Sequence, residues 1–235
     1  MKSGHDDRQV RHWEKRPEKN WEGFQFNQPY EKGLHRLKEV LGQTNYDPAT
    51  LWQWGTMQAC AVIEILKTVE RKFGREGQQA IFESLRGVGY EVGRQITEGT
   101  TIPGNMTDAE WVSFYVTVIN RIAYASLETP QIEGDEKVSF HIDWCPHQDH
   151  YRAFDCRVQR YFVQGMLEAG IDFTRSQGRS AVWDVAFKTT IPSGSETCFF
   201  EICLGDADEA RRWAEYTRIL EDKALQIAEK ESGSK

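Results

Sequence analysis

Residues 141–156 read His-Ile-Asp-Trp-Cys-Pro-His-Gln-Asp-His-Tyr-Arg-Ala-Phe-Asp-Cys, so imidazole, thiol and carboxylate groups crowd into one short stretch. These are the groups that ligate metals, move protons and attack carbon. Three readings of the stretch stand side by side. In the first, His147, His150 and Cys156, with Cys145 or an acidic group completing the set, hold a zinc or iron ion. The spacing matches no zinc finger, zinc ribbon or His-Glu-x-x-His pattern. In the second, Cys145 is a nucleophile at the mouth of the following helix. His147 or His150 is then its base, and Asp143 or Asp149 the orienting or protonating group. In the third, the histidines are solvated loop residues and the cysteines are small buried hydrophobes.

The elements that must position these groups follow from periodicity. Lys137 to Trp144 alternates, with Val138, Phe140, Ile142 and Trp144 on one face and Ser139, His141 and Asp143 on the other. That is a strand with one polar face. Pro146 ends it. Asp149 is expected to cap a helix through Tyr151, Phe154, Val158, Tyr161, Phe162 and Met166, stopped by Gly170. At 3.6 residues per turn Asp149, Arg152 or Ala153, Cys156 and Arg160 share one face of that helix. Arg152, Arg157 and Arg160, joined by Arg175 and Arg179, give it a basic side that suits a carboxylate. Solvated arginines on the wet side of a helix are the plainer reading of each.

Upstream, Asp47-Pro48 is a helix start and Gly74 a helix end. A second helix fits Glu76 to Thr97. Its Gly87, Gly89 and Gly93 point to close approach of another backbone or of a ligand. Thr107-Asp108-Ala109-Glu110 is a capping box opening a helix to about Ser126. Downstream, Ala181–Thr190 and Thr197–Leu204 alternate around Pro192-Ser193-Gly194-Ser195 and read as an antiparallel hairpin. Asp206 or Asp208 caps a last helix to about Lys230. The fold class is therefore α+β: N-terminal helices packed on a small antiparallel sheet, with a strand-helix-strand-strand-helix C-terminal half. Residues 1–30 read as a polar arm, and 31–235 as one small-molecule-binding or catalytic domain.

Composition narrows the function. Lys plus Arg is 29 against 36 for Asp plus Glu, a net charge of −7, which disfavours nucleic acid as a partner. The sequence holds no apolar run of membrane-spanning length, and residues 1–30 lack the apolar segment of a secretory signal. Five scattered cysteines then read as reduced thiols in a cytoplasm. No Gly-x-Gly-x-x-Gly, phosphate loop or Gly-x-Ser-x-Gly elbow is present.

Ser193 to Ile202, Ser-Gly-Ser-Glu-Thr-Cys-Phe-Phe-Glu-Ile, together with Gly87–Ile96 and with Trp144-Cys145-Pro146 followed by a helix bearing Cys156, resembles the L-2-amino-thiazoline-4-carboxylic acid hydrolase-like family. It is also similar to the four-vinyl-reductase small-molecule-binding domains. The resemblance covers roughly residues 50–204. It implies an α+β domain with a pocket between helices and sheet, a small-molecule ligand, and thiol or metal involvement. Cys145, Cys156, Gly194 and Cys198 carry over, whereas His147, Asp149 and His150 lie outside the pattern and suggest different chemistry on the same scaffold.

The expectation is a cytoplasmic hydrolase or lyase acting on a small carboxylate or aromatic molecule. Cys145, His147, Asp149 and His150 would carry the chemistry. His141, Trp144, Tyr151, Phe154, Trp183 and Cys198 would contact the substrate. The alternative is a sensor or carrier using the same pocket without turnover. A homodimer is expected, paired through the long helices 47–73 and 107–126.

Overall fold

The computed structural model describes residues 24–43, 47, 49–179, 183–204 and 211–233. Helix α1 spans Glu31–Gln43 and α2 spans Ala49–Thr97. Asp47 caps α2, its Oδ1 accepting the Ala49 N–H at 2.9 Å. Gly74 breaks α2 with φ 57° and ψ −136°. This left-handed region is where glycine is at ease, so the helical stretches before and after it meet at a kink. Helix α3 (Asp108–Tyr124) begins at the expected capping box. Thr107 Oγ1 accepts the Glu110 N–H at 3.2 Å, and Glu110 Oε2 accepts the Thr107 N–H at 2.9 Å.

Strand β1 (Leu127–Ile132), which the sequence reading did not anticipate, precedes β2 (Lys137–Trp144). A short 3-10 turn over Ala153–Cys156 leads into α4 (Arg157–Ser176), followed by β3 (Trp183–Thr189), β4 (Cys198–Leu204) and α5 (Arg211–Gly233). The strands form one antiparallel sheet in the order β1-β2-β4-β3. The architecture is α+β, with the helices leading and the sheet in the C-terminal half. Phe140 on β2 faces Phe200 on β4, their rings stacked 4.9 Å apart. With Val138, Ile142, Val185 and Ile202 they pack against Trp111, Tyr115 and Ile119 of α3 to make the main core. No helix among the described residues is long and apolar enough to cross a membrane.

Glycines decide how α2 meets α4. A Cβ on Gly89 would collide with the Phe162 carbonyl oxygen, and one on Gly165 with the Arg86 carbonyl oxygen. Of the glycines read from the sequence as points of close approach, Gly89 and Gly93 are therefore helix–helix contacts, whereas Gly87 meets nothing within 4 Å. Gly170 does not stop α4, which continues to Ser176. A Cβ there would collide with the Tyr115 ring, so this glycine makes room for an aromatic side chain of α3.

Other expectations are corrected. Asp149 does not cap α4; it is exposed in a turn, and the helix starts at Arg157. Helix α3 turns Trp111, Val112, Tyr115, Val116 and Ile119 into the core, so that face is not free to pair with another copy. On α2, Trp54, Met57, Ile65 and Phe73 are exposed. The last part of the expected arm lies on the body: Phe24 packs edge-on to Phe114 at 4.7 Å, and Gln25 pairs with Thr101. Residues 1–23, and the Asp206 and Asp208 caps, lie outside the described residues.

Glu70 of α2 and Arg157 of α4 form a buried pair, with Nη2–Oε2 at 2.6 Å and Nε–Oε1 at 3.1 Å. Gln78 donates a further bond to Glu70 at 2.6 Å, and Arg157 Nη1 donates to the Phe154 carbonyl at 2.7 Å. Asp155 Oδ1, also buried, stands 3.5 Å from Arg157 Nη1, so removing Glu70 leaves the guanidinium one distant carboxylate and costs toward the lower end of the roughly 3–5 kcal/mol of a broken buried pair. Glu70→Ala is therefore expected to lose about that much stability in a denaturant titration. A loss under about 1 kcal/mol would mean that water reaches the Arg157 guanidinium.

Candidate functional site

The residues from Cys145 to Tyr151 form a tight turn after β2. The Gln148 N–H donates to the Cys145 carbonyl at 3.1 Å, and the His150 and Tyr151 N–H groups converge on the His147 carbonyl at 3.0 and 2.9 Å. Successive side chains of such a turn diverge. Cys145 and His147 point inward and line a cavity, whereas Asp149 and His150 are exposed. His150 instead borders a separate polar groove with Glu64, Lys67 and Arg152. Phe154 lies on that groove too.

The inner cavity has a volume of about 40 Å³ and a wall that is almost wholly apolar. That is room for on the order of three waters or a compact organic group. Tyr124 closes it from the end of α3, Ile142 from β2, Phe187 from β3, Cys198 from β4 and Tyr216 from α5. Tyr151, Cys156, Gln159 and Arg160 form the side facing the start of α4. Of the residues expected at a site, Cys145, His147, Tyr151, Cys156 and Cys198 thus come together. His141 does not join them; it stacks on Phe199 at 4.4 Å. Trp144 is partly exposed at the strand end, and Trp183 is buried in the core against Tyr115.

Arg160 is the central polar group, 2% exposed. Its Nε and Nη2 donate to Thr217 Oγ1 at 3.1 and 2.9 Å, and Nη2 also donates to the Trp213 carbonyl at 2.9 Å. The guanidinium carbon lies 3.8 Å from the Trp213 ring centre, 4.7 Å from Phe187 and 4.8 Å from Tyr216. Cation–π contact offsets part of the cost of desolvation. Nη1 is buried without a partner among the described residues. Burial pulls the Arg160 pKa down to about 10, partly countered by the surrounding tyrosine and cysteine groups. It remains a cation at neutral pH. The sequence placed Arg160 on the Cys156 face of α4; its seclusion arises from three rings on β3 and α5, far away along the chain.

The thiols are neutral at rest. Burial pushes the Cys145 pKa up to about 11, although the backbone N–H groups of His147 and Gln148 pull the other way. Burial raises Cys156 and Cys198 as well. Burial, with the nearby His150 second, lowers the His147 pKa, so its imidazole is uncharged at neutral pH. A group that holds its proton more tightly when folded stabilises the fold below its unfolded pKa and loses that contribution as pH rises. Stability is thus expected to fall above about pH 9. Over the same range iodoacetamide labelling of Cys145, followed by peptide mass mapping, should accelerate about tenfold per pH unit up to about pH 10. A labelling plateau by pH 8 would mean an activated thiol.

Among the described residues no three His, Cys, Asp or Glu side chains converge as a metal set. The expected trio is divided, because His147 and Cys156 line the cavity while His150 faces the outer groove. Among the described residues, the expected ligands therefore do not meet at one centre.

No protein-family model matches the chain. It is similar to an uncharacterized protein of Archaeoglobus fulgidus, with 50% identity over 215 residues that cover 91% of this chain and 95% of that one. Identity of that degree over nearly the whole of both chains places this protein in one family with the archaeal protein.

Proposed function

We propose that the chain binds a small organic acid in the inner cavity, with the anionic group on the free Nη1 of Arg160. The observation that carries this reading is a buried guanidinium with an arm that has no partner among the described residues, in a chamber whose exposed wall is almost wholly apolar. Buried charges are ordinarily paired. Four other arginines of the expected basic side need no ligand. Arg157 is held by Glu70, Arg175 by Asp172, and Arg179 by Asp108 with the Pro103 and Met106 carbonyls. Arg152 is exposed. Arg160 alone among the five combines burial with an unpartnered arm. The apolar wall suits the carbon part of such a ligand.

Calorimetric titration with short-chain carboxylates tests the reading. Binding is expected in the native chain and at least a hundredfold weaker in Arg160→Met, with Arg160→Lys in between. Equal affinity in native and Arg160→Met protein would remove the reading.

A second reading, hydrolase or lyase, draws on the placement of Cys145 and neutral His147 on one cavity wall. An acid carrying a scissile ester, thioester or amide would then be cleaved: the Cys145 sulfur bonds to that carbonyl carbon as the alcohol, thiol or amine departs, His147 passes the thiol proton to the leaving group, and water releases the acyl group from Cys145. Turnover that survives in both Cys145→Ser and His147→Asn would exclude that role for them.

A further inference from the structure

Gln159 precedes Arg160 on α4, is 5% exposed and lines the same cavity. Its amide is held in one orientation by a short relay. The Tyr151 hydroxyl donates to the Ala59 carbonyl at 3.4 Å. With its proton committed, the Tyr151 oxygen accepts from Gln159 Nε2 at 3.2 Å. Tyr151 is itself fixed, its ring stacked on His147 at 4.9 Å and packed with Ile63, Leu66, Val158 and Tyr161. The relay leaves Gln159 Oε1 buried and without a partner among the described residues. Among the described residues lining the chamber, three buried atoms then lack a partner: Arg160 Nη1, which can only donate, Gln159 Oε1, which can only accept, and His147 Nδ1, whose role depends on its tautomer.

We infer that the ligand is a compact organic acid carrying an N–H or O–H donor, and that Gln159 is the residue that selects for it. The inference rests on the organic-acid reading above. A plain acid satisfies Arg160 but leaves the amide oxygen bare, and a bare buried acceptor is what native interiors avoid. A hydroxy, amino or amide acid satisfies both ends. A site with a committed acceptor discriminates against the analogue that lacks the donor, because that analogue leaves the acceptor desolvated and unpaired.

The test is calorimetric titration of the full chain with propionate and with its 2-hydroxy, 3-hydroxy, 2-amino and 3-amino derivatives. The best donor-bearing acid is expected to bind about ten- to a hundredfold more tightly than propionate. Gln159→Met should abolish that gap, read as the ratio of the donor-bearing acid's affinity to propionate's in the same variant. Tyr151→Phe, which frees the amide to turn, should narrow the gap in the same direction and serves if the Gln159 variant does not fold. Propionate binding as tightly as every derivative, or a gap that survives in Gln159→Met, would overturn the inference while leaving the organic-acid reading intact. Failure of every acid to bind at millimolar concentration would overturn both.

Discussion

Arg160→Met is expected to melt higher than the native chain in the absence of ligand. Among the described residues, the native protein keeps a cation in a largely apolar chamber with no carboxylate lining it. The folded state holds the guanidinium proton less tightly than the unfolded chain, since the pKa falls to about 10. Below that pH the burial therefore opposes folding, and the penalty eases only as pH rises through about 10. Methionine fills similar volume without the charge, and the Thr217 hydroxyl keeps its bond to the Trp213 carbonyl at 2.8 Å. Replacing buried ionic groups by apolar ones of similar size stabilises by about 1–4 kcal/mol. For a chain of this length that is roughly 2–16 °C in Tm. The cation–π attraction of Arg160 to its three rings, absent in the variant, sets the lower end of that range. A saturating organic acid should raise the native Tm and leave that of Arg160→Met unmoved. A fall of several degrees in the variant would identify Arg160 as a structural clamp for α5.

Two alanine substitutions in the α2–α4 pair should act in opposite directions. Gly165→Ala introduces a methyl that would collide with the Arg86 carbonyl and lie 2.5 Å from the Tyr90 nitrogen. Both are backbone atoms inside a helix, so relief requires moving α4 bodily from α2. Overpacking of this kind costs about 1–3 kcal/mol where side chains can yield. Here they cannot, and a loss of at least about 3 kcal/mol is expected. Gly87 on α2 meets nothing within 4 Å of an added Cβ, so Gly87→Ala should stabilise by about 0.5–1 kcal/mol through helix propensity alone. Denaturant titration of the two variants measures the contrast. A neutral Gly165→Ala would mean that the helices slide apart without cost to the core.

Much of this organisation was legible in local chemistry. The Thr107 capping box, the break at Gly74 and the alternation of β2, β3 and β4 are signals carried within a few residues, and each corresponds to an observed feature. Strand β1 was not legible. Its Leu-Glu-Thr-Pro-Gln-Ile has little apolar alternation, and it is a strand because β2 offers it an edge. In the cavity wall, Cys145, His147 and Cys156 were found because histidine and cysteine stand out by type, Tyr151 as an aromatic wall residue, and Cys198 through the family resemblance. Asp149 and His150 stand out equally, yet the turn after Pro146 directs them outward. Only its hydrogen bonds determine which side chains face the cavity. Gln159 had no signal of its own in the sequence. Its importance depends on Tyr151 and Ala59, which lie on other elements.

The break at Gly74 is also expected to divide α2 into two units that open separately. The segment before it carries Ile63 and Leu66, which back Tyr151 and so the His147 side of the cavity. The segment after it carries Gly89 and Gly93, seated against α4. A continuous ladder of backbone hydrogen bonds transmits unwinding along a helix; a residue outside helical geometry interrupts it. Native-state hydrogen exchange should therefore resolve two opening free energies along α2, the lower before residue 74. Amides around Ile63 and Leu66 should slow further when an acid occupies the cavity, while those around Gly89 hold their rates. The wall behind the ligand can then loosen and re-form on a scaffold that stays folded throughout.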